Sequence, residues 1–231
     1  MLVGFHSEGW DHLILRAFLA KLLSIPEEDI EPDVVDSSGR GWGFVLELLP
    51  KALHRFYGKC ARLAVVGVDN DGNRNLLEEG LSEDPRRPRH WLHAPGQPAA
   101  AACRWCQFKA CVDAVVPRLN WIPNKPGSDW PVVVVVPVEA IEAWLLVSQA
   151  LVHHGTGSLH AENELRSLYK LRFYGKPVPT QTDVESKAVP LVRALDLAGL
   201  AALERHARSF AQFADHVRAD RDKITKGVNC W

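Results

Sequence analysis

A chain of 231 residues with 27 Lys plus Arg against 28 Asp plus Glu can bury a substantial core as one α/β domain. Its near-zero net charge does not imply a general polyanion-binding surface, so any affinity for nucleic acid would have to be local. No apolar run approaches a membrane span, and the start Met1-Leu-Val-Gly-Phe-His6 lacks the basic flank and cleavage region of a signal peptide. The expectation is a cytoplasmic protein with no membrane partner. Five cysteines, three of them bunched at Cys103, Cys106 and Cys111, suit a reducing compartment or a metal better than a disulfide framework.

In chain order, Leu2 to Phe5 is a short apolar run that predicts a strand. His6-Ser-Glu-Gly9 predicts a tight turn, and Leu13, Leu15, Phe18, Leu19, Leu22 and Leu23 mark a helix ended by Pro26. Glu8 then lies beyond the first strand, where an acid commonly serves a helix N-terminus. Val34-Val-Asp36 predicts a weaker strand. Gly39, Gly41 and Gly43 read as an ordinary turn, because they lack the Lys-Ser/Thr ending of a phosphate loop. Phe44 to His54 predicts a helix, with Pro50 against its continuity.

Arg62 to Val68 is an apolar, β-branched run ending in Asp69-Asn-Asp71-Gly72. Asp69 and Asp71 are two apart, so in extended geometry their side chains point the same way. Two carboxylates held together repel unless they are protonated or bridged by a cation, and oxygen-only ligation suits Mg²⁺ or Mn²⁺. The plainer alternative is a strand-to-loop turn rich in turn-formers. From Asn73 the chain is polar and proline-rich, reading as an inserted loop at about 73–106 with a basic patch at Arg86, Arg87, Arg89 and His90.

Gln107 to Leu119 predicts a helix with Phe108, Cys111, Val112, Val115 and Val116 on its apolar side. The five valines Val132 to Val136 predict a central strand covered on both faces. Glu139 and Glu142 follow, three apart, and would share one face of the next helix. Residues 152–224 are helical in tone, with His153-His154 at a helix end and a tail at 225–231.

Strand-helix alternation predicts a parallel sheet with helices on both faces, whose ligand crevice lies outside the carboxyl ends of the strands. Glu8, Asp69, Asp71, Glu139 and Glu142 are all expected there. Such a set supports hydrolysis or transfer at phosphorus.

The order Glu8-Gly9, Asp69-x-Asp71 and Glu139-x-x-Glu142-Ala-Trp144 resembles a Toprim domain. More narrowly, it is similar to the stand-alone Toprim-like proteins and the overcoming-lysogenization-defect nucleases. The resemblance covers residues 1–151, and Ser209-Phe-Ala-Gln-Phe213 is similar to the end of the stand-alone proteins. It implies a four-stranded parallel sheet, Mg²⁺ on Asp69 and Asp71, and Glu8 as metal ligand or general acid/base. It also implies a second metal near Glu139 and Glu142. Many relatives carry an acid four residues after the first Glu. Here that position is His12, with Asp11 one earlier, and one helical position is a rotation of about 100°, so Asp11 need not reach the metal. For the catalytic lysine of some nucleases, Lys187 and Lys223 are equal candidates. A separate ATPase subunit, as in phage defence, is the partner implied.

His90-Trp-Leu-His93 and Cys103-Arg-Trp-Cys106 give two ligand pairs able to close a tetrahedral structural zinc site inside the loop. A reduced thiol pair with two loop histidines is the alternative. The leading expectation for function is a Mg²⁺- or Mn²⁺-dependent nuclease or phosphodiesterase on DNA or RNA. An Asp-x-Asp nucleotide-sugar transferase would leave Glu8, Glu139 and Glu142 without a role. An aspartyl phosphatase expects Asp-x-Asp after the first strand. A non-catalytic Toprim-like binding or regulatory subunit is the remaining alternative.

Overall fold

The computed structural model describes residues 1–37, 41–69, 104–121, 129–137, 140–154 and 166–226. Four parallel strands, β1 (Leu2–Ser7), β2 (Glu31–Asp36), β3 (Leu63–Gly67) and β4 (Val132–Val135), form one sheet in the order β2-β1-β3-β4. All five residues of β3 are buried, as a strand covered on both faces requires.

Alternation along the strands sorts side chains into two cores. Val3, Phe5, Leu63, Val65, Val133 and Val135 pack with α1 (Asp11–Leu23). Ala64, Val66 and Val134 pack with α2 (Gly41–Gly58) and α3 (Arg104–Val115). Helices therefore cover both faces, as expected. Gly4 faces α2 so closely that a Cβ there would stand 2.2 Å from the Phe56 ring, which no larger residue could accept. His6, fully buried on the same side, ties β1 to its surroundings through the carbonyls of Val35 (3.2 Å) and Val45 (2.8 Å).

Several boundaries differ from expectation for local reasons. α1 ends at Leu23, with Ser24 in the left-handed region at φ 57° and its N–H on the carbonyls of Ala20 and Lys21, before Pro26 is reached. α2 begins at Gly41 and runs through Pro50. Residues 116–121 tighten into a 3-10 turn after α3. α4 (Ile141–His154) starts at Ile141 and carries Glu142 in its first turn.

The C-terminal part is α5 (Arg166–Tyr174), α6 (Gln181–Asp183), a π-turn at Val184–Ala188, α7 (Val189–Ala194), α8 (Leu197–His206), α9 (Arg208–Ala219) and α10 (Arg221–Lys226). It shares the core of the sheet: Val217 and Ile224 belong to the same cluster as Val3 and Phe5. Trp144 is the anchor. Fully buried, it packs against Phe18, Phe210 and Phe213, and its Nε1 donates to Ser209 Oγ at 2.9 Å. Truncating such a residue to alanine costs about 3–5 kcal/mol. No described helix is long and apolar enough to cross a membrane.

Candidate functional site

α1 leaves β1 on one face of the sheet and α2 enters β3 from the other, so the chain switches direction between β1 and β3. In open parallel sheets the crevice at the carboxyl ends forms at such a point. Here the Glu8 N–H bonds the Gly67 carbonyl at 3.3 Å and holds the two strand ends together. Gly9, at φ 52°, makes the turn that a larger residue would strain, and the Asp11 N–H closes it on the Glu8 carbonyl.

Asp69 follows β3 and is fully buried. Its carbonyl accepts from Arg104, whose guanidinium lies 4.8 Å over the Trp42 ring. Its Oδ1 accepts the Ile141 N–H at 3.1 Å, placing a carboxylate at the positive end of α4. The next residue of α4, Glu142, is the second arm of the site and 1% exposed. Lys170 of α5 sits between them, its Nζ 3.8 Å from Asp69 Oδ2 and 3.9 Å from Glu142 Oε1. These separations exceed direct hydrogen bonds, so Lys170 acts through charge.

Asp11 joins the group. Although the residue as a whole is half-buried, its carboxyl end is enclosed. Burial pushes its pKa well above the usual carboxylate range; the charges of Asp69, Glu142 and Glu8 add to this, and Lys170 opposes it. Tyr174, one helical turn beyond Lys170 and 3% exposed, has a hydroxyl with no hydrogen-bond partner among the described residues. Burial raises its pKa well above the ordinary tyrosine value, and Glu142, Asp11, Asp183 and Asp69 raise it further.

A cleft of about 310 Å³ opens over this cluster, lined in part by Glu8, Asp11, Glu142 and Lys170. A larger cleft of about 610 Å³, walled by Ala17, Ala20 and Leu195, contains none of these acids. The acidic cluster lines the smaller one.

Among the described residues, no three His, Cys, Asp or Glu side chains are grouped closely enough to hold a metal as they stand. The donor chemistry nevertheless fits a hard divalent cation. Four carboxyl groups share one low-dielectric pocket with a single lysine, all their donors are oxygen, and an added positive charge would relieve their repulsion.

Of the predicted residues, Glu8, Asp69 and Glu142 come together. Asp71 and Glu139 lie outside the described residues, as do His90, His93 and Cys103 of the zinc quartet; Cys106 is buried on α3. Glu8 is not the N-cap of α1: that position is Trp10, with no side-chain cap hydrogen bond.

Asp11, one position before the expected acid, lines the cleft together with Glu8. The Gly9 turn starts α1 at Asp11 and sets this side chain in the cleft, while His12 faces the fields of Asp36 and Arg16. Neither predicted lysine is there. Lys187 donates to the Tyr174 carbonyl at 3.1 Å, and Lys223 pairs with Asp220 at 3.0 Å.

Lys170 and Tyr174 were missed. The available signal was their i, i+4 spacing, which sets both on one face of a short helix. Compared with known proteins, the chain matches no family model, no curated protein and no solved structure.

Proposed function

We propose that the chain is a divalent-metal-dependent phosphodiesterase of Toprim-like type, acting on nucleic acid. The observation that carries this reading is the convergence of Glu8, Asp11, Asp69 and Glu142 around Lys170 at the switch point of the sheet. Asp69 and Glu8, with Asp71 from the sequence, would hold Mg²⁺ or Mn²⁺; Glu142, with Glu139, would complete a second position. The ion supplies Lewis-acid polarisation of a phosphoryl oxygen and activation of water.

The chain's own groups do the rest. Asp69 is pre-oriented by the Ile141 N–H on its Oδ1. Lys170 holds a positive charge where a transferring phosphoryl group gains negative charge, an electrostatic contribution that needs no reorganisation. Asp11, whose carboxyl pKa is raised first by burial, is of the kind that can give a proton to a leaving oxygen. Any coupling to ATP would come from a separate ATPase subunit.

The test is cleavage of plasmid DNA and of RNA with Mg²⁺ or Mn²⁺, comparing wild type with Glu8→Gln and Asp69→Asn. Metal-dependent products from wild type and none from either variant support the assignment. Equal products from all three remove it. A binding module is favoured by one observation, the neutralising contact of Lys170 with Asp69 and Glu142. It predicts nucleic-acid binding without metal-dependent products.

A further inference from the structure

The cleft has two unlike parts. Its floor is charged, with Lys170 the only cation among the described lining residues, whereas its remaining lining includes Trp10, Val178 and Pro179. These come from separate segments, Trp10 from the turn before α1 and Val178-Pro179 from the segment between α5 and α6. Val178 is 76% exposed, an apolar side chain left facing solvent beside a charged floor. Among the described residues, Trp10 has one ring contact, with His12 at 6.1 Å and tilted by 52°, so no ring lies flat on its indole.

A planar apolar group on the rim joined to an anionic group at the floor is the shape of one nucleotide. About 310 Å³ is at the small end of ligand sites and suits one nucleotide unit. A paired base in a duplex has both faces covered by its neighbours and must leave the stack to meet an aromatic ring. We infer that Trp10 is a base-stacking residue: the cleft takes one unpaired nucleotide of a single strand, its base between the Trp10 indole and Val178-Pro179 and its phosphate toward Lys170. The inference rests on the phosphodiesterase reading for its substrate class and goes beyond it in naming the single-stranded form and the residue that selects it.

The test measures binding separately from cleavage. A ten-nucleotide strand carrying 2-aminopurine is titrated in EDTA, alone and annealed to its complement, against wild type, Trp10→Phe, Trp10→Ala and Val178→Gly. Base-aromatic stacking is worth about 1–3 kcal/mol per base, so Trp10→Ala should weaken single-strand binding by about tenfold or more. Trp10→Phe should retain most of the affinity. Val178→Gly, at an exposed position where folding is not at risk, should weaken binding about threefold.

Wild type should bind the single strand at least tenfold more tightly than the duplex. Equal affinity for the two forms, or a folded Trp10→Ala with wild-type affinity, overturns the inference. So does a 2-aminopurine mononucleotide that binds as tightly as the strand, since the occupant is then a free nucleotide. Trp10-dependent binding with no metal-dependent cleavage sustains the stacking site while the phosphodiesterase reading fails. Cleavage with Trp10-independent binding does the reverse.

Discussion

The carboxylate of Asp69 and the backbone N–H of Ile141 are joined by a 3.1 Å hydrogen bond that ties the end of β3 to the start of α4. Asp69 thus has a structural duty separable from its charge. Asp69→Asn keeps an oxygen for the Ile141 N–H, whereas Asp69→Ala removes it, and losing a helix-terminal acceptor costs about 0.5–2 kcal/mol. Thermal unfolding should therefore show Asn close to wild type and Ala lower, while both lose metal-dependent cleavage. Cleavage surviving in Asn but not in Ala would mean that Asp69 serves only the fold.

Lys170 is the counter-charge of the site. Its ammonium group is 15% exposed and faces two carboxylates that are nearly fully buried. Replacing it with Met leaves those acids uncompensated, and breaking a buried pair in this way costs about 3–5 kcal/mol. Millimolar Mg²⁺ should restore more stability to Lys170→Met than it adds to wild type. Calorimetric scans with and without Mg²⁺ check this; identical metal responses would show that the cluster takes no cation.

Tyr174→Phe should not destabilise the metal-free protein. An unsatisfied buried hydroxyl carries a desolvation penalty of about 1–3 kcal/mol, and its removal should raise the melting temperature by a few degrees. Binding of a single-stranded oligonucleotide by the same variant should weaken if the hydroxyl donates to the ligand. A fall in melting temperature would show that the hydroxyl has a bond to lose.

Away from the cleft, Asp33 on β2 sets a pH dependence of stability. Burial alone would raise its pKa, but hydrogen bonds from Arg55 and Lys59 outweigh this and bring it below the ordinary value. A carboxylate depressed in the folded state contributes stability above its unfolded pKa of about 3.9, and loses it as pH falls through the folded value. Asp33→Asn should cost about 1.5 kcal/mol at neutral pH, at the low end for charge-assisted bonds because Arg55 and Lys59 are about half exposed. The gap from wild type should close in strong acid, where both are uncharged. A gap that is constant from pH 7 to pH 2 would contradict the assignment.

Much of the sheet was legible because its evidence is local. Five buried residues in β3 and the valine run of β4 carry their burial in their own composition, and acids placed just past such runs arrive at one edge by topology alone. Glu8 and Asp69 were readable in this way. Lys170 and Tyr174 were not, since they reach the site from α5 by tertiary packing that no nearby residue announces. The place of Asp11 was left open for a narrower reason: it depends on the left-handed Gly9 turn that sets where α1 begins.

The same arrangement imposes an order on synthesis. The acids of β1, β3 and α4 are translated before the lysine that balances them, and α5 trails Glu142 by on the order of a few seconds at ordinary elongation rates. A nascent chain that stops short of α5 holds a repelling cluster at the mouth of an incompletely covered sheet, because α9 and α10, which bury Phe5 and Val3 together with Val217 and Ile224, are still to come. Charge balance and closure of the core therefore both wait for the segments from α5 onward, so a chain stopped before them has neither a balanced cluster nor a closed core.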